Sequence, residues 1–339
     1  MQTRRLRFMQ TMRPKSPNEW KAAPFFGSGF AALSERKELP LKPIAALIYD
    51  FDKTLSPRDM QEYSFLPGIN VEPEVFWGEC KKVQDEYDMD SVLAYMLMMK
   101  RRSAGTRLLT RESLGKLGQE VEFFPGVETW FDRIGRIGEE IGVTVEHYII
   151  SSGLREIIEG SRIADAFKAV FAASFVYGED GIAEWPATAV NYTAKTQYLF
   201  RINKGILDVT NDRDLNGFTP EYKRRVPFAN MIYIGDGLTD VPCMKMTRTR
   251  GGTSIAVHAD GQTNLSDNMI LQGRCDYAVL ADYSENSEIE NVVTSVLRRI
   301  KTNCDCLSLH EKQIERATDR GGTPEWLLQL NMDNTDLES

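Results

Sequence analysis

The chain reads as an α/β protein: a doubly wound parallel sheet with a small helical segment inserted after its first strand. Three observations predict this. A short, continuously apolar run at Ile44–Tyr49 and further apolar runs at 143–150 and 231–234 have the length and composition of buried strands. Each run ends on a polar cluster rich in aspartate, serine or glycine. Segments of helical spacing separate the runs, and strands alternating with helices imply a parallel sheet that binds ligands at the carboxyl ends of its strands.

The first strand ends on Asp50-Phe51-Asp52-Lys53-Thr54-Leu55. From Ser56 to about Leu117 the spacing is helical, with Val92, Leu93, Tyr95, Met96, Leu97 and Met98 as its buried stretch and Lys100-Arg101-Arg102 behind it. Met96, Met98 and Met99 read as core filling. After Phe123-Phe124-Pro125-Gly126-Val127 the spacing predicts a helix over 128–142, then a strand that stops at Ser151-Ser152-Gly153, then a helix opening at Leu154. A strand, a polar turn and a helix in that order aim free backbone N–H groups at an anion. Residues 170–183 read as paired strands turning at Gly178-Glu179-Asp180-Gly181. A helix over 193–204 stops at Lys204-Gly205. The third apolar run ends on Gly235-Asp236-Gly237-Leu238-Thr239-Asp240, short strands are expected over 254–258 and 277–280, and a closing helix over 289–300. The resulting division is a basic N-terminal extension (1–42), a core (43–56 and 123–303), a helical insertion (57–122) and a C-terminal tail (304–339).

Composition narrows the function. The 339 residues are 42% hydrophobic and 27% charged, the balance of a water-soluble globular protein. Residues 1–42 carry nine Lys/Arg against three Glu, so the rest of the chain is acidic enough to bring the total to −8, and no nucleic-acid partner is expected. Residues 1–18 hold four Arg and no acid, a composition shared with organelle-targeting peptides, but Pro14 and Pro17 interrupt any amphipathic helix and a polar extension is the simpler reading. No run is apolar enough to span a membrane. The five cysteines are odd in number and scattered, which points to a reducing, cytoplasmic setting, and Cys304-x-Cys306 with His310 lacks the second ligand pair of a zinc site. His147, His258 and His310 have no partner at a recognisable spacing and read as structural, as does the Trp185-Pro186 pair.

All three strand ends fall on one rim of the sheet, which gathers Asp50, Asp52, Thr54, Ser151, Asp236 and Asp240. Carboxylates that close repel one another unless a cation neutralises them or one stays protonated. A hard divalent ion that takes few protein oxygens and a substrate phosphate fits Mg²⁺. For Asp240 a helix N-cap role competes, because Val241-Pro242 can open a helix.

Asp50-x-Asp52-x-Thr54, Ser151 after an apolar strand, a lysine on a later helix and Gly235-Asp236-Gly237-x-x-Asp240 resemble the four motifs of the haloacid dehalogenase superfamily, from about Ile44 to Ile300 and with phosphoserine-phosphatase-like members in particular. The resemblance implies that Asp50 is a nucleophile forming an aspartyl-phosphate and that Asp52 is the acid and base. It implies that Thr54, Ser151 and Gly153 cradle phosphate, with Ser152 an alternative to Ser151. Lys195 would pair with phosphate and nucleophile, Lys204 being the other lysine of that helix. Mg²⁺ would be held by Asp50, the backbone carbonyl of Asp52 and Asp236, with Asp240 in support. The acid at Asp52 implies a phosphatase or a phosphotransferase acting on a small phosphorylated metabolite; a phosphate-binding protein without turnover is the third reading. The 57–122 insertion would be the cap that reads the leaving group. Asp59, Glu62, Arg101 and Arg102 are its candidate contacts, which favours an anionic phosphomonoester.

Overall fold

The structure, a computed structural model, describes residues 42–105 and 109–322. The basic extension, apart from Lys42, and the part of the tail after Gly322 lie outside the described residues.

β1 (Ile44–Tyr49) is followed by 3₁₀ and helical turns that lead through α1 (Phe65–Gly68), α2 (Pro73–Tyr87), α3 (Ser91–Arg102) and α4 (Arg111–Leu117). Then come α5 (Val127–Ile141), β2 (Thr144–Leu154), α6 (Arg155–Glu159), β3 (Phe167–Tyr177) and β4 (Ala183–Thr188). The second half runs α7 (Lys195–Lys204), α8 (Asp212–Asn216), β5 (Met231–Gly235), α9 (Val241–Thr249), β6 (Thr253–His258), α10 (Asn264–Leu271), β7 (Tyr277–Leu280) and α11 (Glu288–Asp319). The sheet order is β4-β3-β2-β1-β5-β6-β7. Neighbours are parallel except for the β3–β4 pair.

β1 lacks polar alternation because both of its faces are covered. Ala45, Leu47 and Tyr49 belong to a core shared with Trp130 and Ile134 of α5 and Val293 and Leu297 of α11. Ala46 and Ile48 point into a second core with Leu199 and Ile202 of α7 and Met244 of α9. The insertion is continuous with the first of these cores, and Met96, Met98 and Met99 are buried in it as filling. It also touches the hairpin: Thr110 bridges Ile182, and Ala183 donates its N–H to the Leu109 carbonyl at 2.8 Å.

At Gly126 a side chain has no room, since a Cβ would lie 2.3 Å from the Ser284 nitrogen and φ is +78°. That close approach lets the α5 entrance lie against the segment before α11, where Tyr283 donates to the Pro125 carbonyl at 2.8 Å. A buried Arg133–Glu290 ion pair fastens the same two helices.

Two expectations change. The helix expected over 289–300 runs on to Asp319, so the 304–339 tail begins inside a helix; residues 301–320 contain no Gly or Pro, and Gly321-Gly322 is the first breaker. Ser151, Ser152 and Gly153 lie within β2 rather than in a turn beyond it: the strand runs through them across a register shift and pairs with β3 again at Leu154, opposite Ala173.

Candidate active site

β1 is the point where the topology reverses: the chain builds outward through β2, β3 and β4 on one side, then returns to lay β5 on the other. The crevice at the carboxyl ends of β1 and β5 is where an open α/β sheet takes ligands. Asp50 follows β1 directly, and its N–H continues the ladder to the Ile234 carbonyl at 2.9 Å. Beyond it, the N–H groups of Thr54, Leu55 and Ser56 all turn toward the Phe51 carbonyl, at 3.3, 2.9 and 3.3 Å. Lys53 permits this by adopting a left-handed φ of 58°, a strained conformation for a residue with a Cβ.

The central feature is a buried ammonium between two carboxylates. Lys195 Nζ donates to Asp50 Oδ2 at 2.7 Å and to Asp240 Oδ1 at 2.8 Å, with the lysine fully buried. Tyr233 donates its hydroxyl to the same Asp240 oxygen at 2.8 Å, and Gly237 N–H reaches Asp240 Oδ2 at 3.3 Å. Asp240 makes no side-chain cap of α9, so the competing N-cap role is not what its carboxylate does. Asp236 completes the group: it accepts from Thr54 Oγ1 at 3.2 Å, and oxygen atoms of Asp50, Asp236 and Asp240 lie within 4.8 Å of one another.

Crowding in a dry crevice shows in the acidities. Burial raises Asp50 to about 6; Lys195 opposes this and Asp240 adds to it. Burial, with Asp240 and Asp50 nearby, raises Asp236 to about 8. Burial alone would lower Lys195, yet Asp240 and Asp50 hold it above the ordinary lysine range. Asp52 is shifted well upward by burial, then by Asp59 and Asp50, and its Oδ1 accepts the Met60 N–H at 2.8 Å.

Met60, which sequence reasoning missed, touches the β2 end as well, where Leu154 N–H meets its sulfur at 3.1 Å. Gly153 passes so close that a Cβ would come within 2.1 Å of the Met60 Cε and 3.0 Å of Asp52 Oδ2. Ser151 is buried and its Oγ accepts from Gly153 N–H at 3.0 Å, whereas the Ser152 hydroxyl is committed to the Val190 carbonyl at 2.7 Å. Between them they separate the two serines that the sequence left as alternatives.

A cavity of about 350 Å³ opens from these groups toward the insertion. Asp50, Asp52, Ser151, Ser152, Gly153 and Asp236 form its floor; Gln61, Trp77, Lys81 and Gln84 stand on the insertion side with Tyr95. Residues 77, 81 and 84 share one edge of α2, beside the buried edge of Phe76, Cys80 and Val83. Asp59 also lines the cavity, paired with Lys53 at 2.7 Å, while Glu62 lies outside the lining and accepts from Trp77 Nε1 at 2.9 Å. Arg101 and Arg102 do not line it: they sit at the far end of α3 from Ser91 and Val92, and Arg102 is held by Glu79. Lys204 is likewise remote, donating to the Leu215 and Gly217 carbonyls at 2.5 and 2.6 Å. Among the described residues Cys304, Cys306 and His310 belong to no metal-ligating cluster. Tyr233 and Tyr95 were missed although a buried phenol needs a partner, the one signal the sequence offered. Tyr95 donates to the Ser152 carbonyl at 2.7 Å.

No protein-family model matches the chain. An uncharacterised protein of Borreliella burgdorferi is 31% identical over 229 residues, which span 60% of this chain and 78% of that protein. Among solved structures, a HAD family hydrolase of Salmonella enterica subsp. enterica serovar Typhi is similar with a TM-score of 0.46 and 17% identity, covering 76% of this chain and 77% of that one. A phosphoserine phosphatase carrying a phospho-aspartyl intermediate analogue gives 0.44 and 14%, over 75% of this chain and 99% of that one. Cytosolic 5'-nucleotidase IIIB bound to cytidine gives 0.41 and 14%, over 76% and 86%.

Proposed function

The chain belongs to one family with the uncharacterised Borreliella burgdorferi protein, and from its own side chains we propose that it is a Mg²⁺-dependent phosphomonoesterase of the haloacid dehalogenase type. The observation that carries this reading is the convergence of Asp50, Asp236 and Asp240 within 4.8 Å around a buried Lys195 at the switch point of the sheet. Hard oxygen donors crowded until their acidities rise are a donor set suited to a small divalent cation. Asp50 and Asp236 would hold it, together with the Asp52 carbonyl. Asp240 serves them indirectly, since its oxygens accept from Lys195, Tyr233 and Gly237. When bound, the ion supplies charge neutralisation at the phosphoryl oxygens.

Asp50 is the nucleophile, held by Lys195 and by its bond from Phe51 N–H at 2.7 Å. One of its oxygens attacks phosphorus, the bond to the ester oxygen breaks, and the departing alkoxide takes the proton of Asp52. Burial favours that acid form. Water then attacks the aspartyl-phosphate and yields its proton to Asp52, releasing inorganic phosphate and restoring Asp50. Ser151, Thr54 and Gly153 would bind phosphoryl oxygens, and the helical insertion would act as the cap. The substrate is a small phosphorylated metabolite. Purified protein should hydrolyse p-nitrophenyl phosphate with Mg²⁺ and lose this on chelation and in Asp50→Asn. Equal rates in wild type and Asp50→Asn would refute the assignment.

A further inference from the structure

The insertion side of the cavity has a chemistry of its own. Of the charged groups there, Lys53 and Asp59 neutralise one another at 2.7 Å, and Lys81 is paired with Asp85. The two arginines of α3 stand elsewhere. Among the described residues no guanidinium lines the space above the proposed phosphate site, so none of them offers a carboxylate on the leaving group a bidentate partner there.

What lines it instead is aromatic and amide. Trp77 and Tyr95 meet edge to face, with centroids 6.3 Å apart and planes at 76°, forming a corner of two ring surfaces. Their polar atoms are already spent on Glu62 and on the Ser152 carbonyl, which leaves the rings as apolar walls. Gln61 lines the same cavity at 2% exposure, and its Oε1 is buried without a hydrogen-bond partner. A stranded acceptor at the wall of a chamber calls for a donor from whatever enters.

We infer that the leaving group is uncharged and brings an O–H or N–H donor to Gln61, as the hydroxyls of a sugar or a nucleoside do, rather than the charged ends of a phosphoamino acid. This rests on the phosphomonoesterase reading and replaces the anionic substrate that Arg101 and Arg102 pointed to in the sequence.

The test uses the full chain with Mg²⁺ and compares kcat/KM for a nucleoside 5'-monophosphate, a hexose phosphate, phosphoserine, 3-phosphoglycerate and p-nitrophenyl phosphate. The uncharged leaving groups are expected to exceed the charged ones at least ~10-fold. Gln61→Leu is expected to lower the ratio of the best uncharged substrate to p-nitrophenyl phosphate about 10-fold, because nitrophenol brings no donor to that wall. Gln61→Glu keeps the acceptor and adds a negative charge, so it should raise phosphoethanolamine relative to the nucleotide, and it serves if the leucine variant fails to fold. Charged leaving groups turned over as fast as uncharged ones, or substrate ratios unchanged in folded Gln61 variants, overturn the inference. Failure of wild type on every ester, p-nitrophenyl phosphate included, overturns the phosphatase reading instead.

Discussion

Lowering the pH should weaken the fold through His147 well before general acid denaturation. The imidazole is 6% exposed, and burial brings it from 6.5 down to about 4, opposed by a bond to the Phe131 backbone. Trp130 donates to the Tyr49 hydroxyl at 2.9 Å, so that hydroxyl is left to donate to His147 Nδ1 at 3.0 Å, an arrangement suited to the neutral ring. Asp132, Arg136, Glu139, Glu140 and Asp165 line the adjoining depression, and among the described residues none pairs with it. A folded-state value below the unfolded one makes this stabilisation complete above pH 6.5 and progressively lost as pH falls toward 4. Linkage with those two values gives about 2 kcal/mol lost between pH 7 and pH 5, and roughly 3 kcal/mol over the full window. Urea unfolding followed by tryptophan fluorescence at pH 7, 6 and 5 measures it, with His147→Gln as the reference that cancels all other titrations. The wild type should lose about 2 kcal/mol more than the variant. Parallel losses, within about 0.5 kcal/mol, would show that the imidazole is not held neutral.

Three further outcomes are expected. Lys195→Met leaves Asp50 and Asp240 buried together without their shared cation; it should cost about 3–5 kcal/mol in urea unfolding and abolish phosphate release. Gly153→Ala pushes a Cβ into Met60 and Asp52, so kcat for p-nitrophenyl phosphate should fall about 10-fold. Arg101→Ala and Arg102→Ala, changes outside the cavity, should leave the relative rates across the ester panel within about 2-fold of wild type.

β1 and β5 were readable because burial on both faces leaves an unbroken apolar run, and their acidic ends were readable because polar residues stop that run abruptly. Which of two lysines enters the crevice was a matter of helix geometry: the nine residues from Lys195 to Lys204 carry the second about 14 Å along α7, to the end where carbonyls need donors. The same arithmetic separates Arg101 and Arg102 from the cavity, since α3 enters the site by its amino end, where Asp90 accepts from Val92 N–H at 2.9 Å and from Asn191 at 2.9 Å. Met60 and Gln61 were illegible for another reason. Their roles come from packing against β2 and the cavity, which no local period encodes. The length of α11 was open to sequence reasoning, because nothing between Ile300 and Asp319 stops a helix.

The central place of β1 also governs how the molecule comes into being. It is the first of the described strands to be synthesised, yet it pairs with β2 from Ile44 against Thr144, and with β5 from Ala46 against Met231. At typical synthesis rates the second partner follows about 10–40 s after the first strand. Throughout that interval a flat apolar strand, with the proposed nucleophile at its tip, has one edge or both unpaired, the hazard that finished sheets avoid by covering their edges. The proposed active site is therefore completed late, because Asp236, Asp240 and the strand that closes the second edge of β1 are delivered by the same stretch of chain.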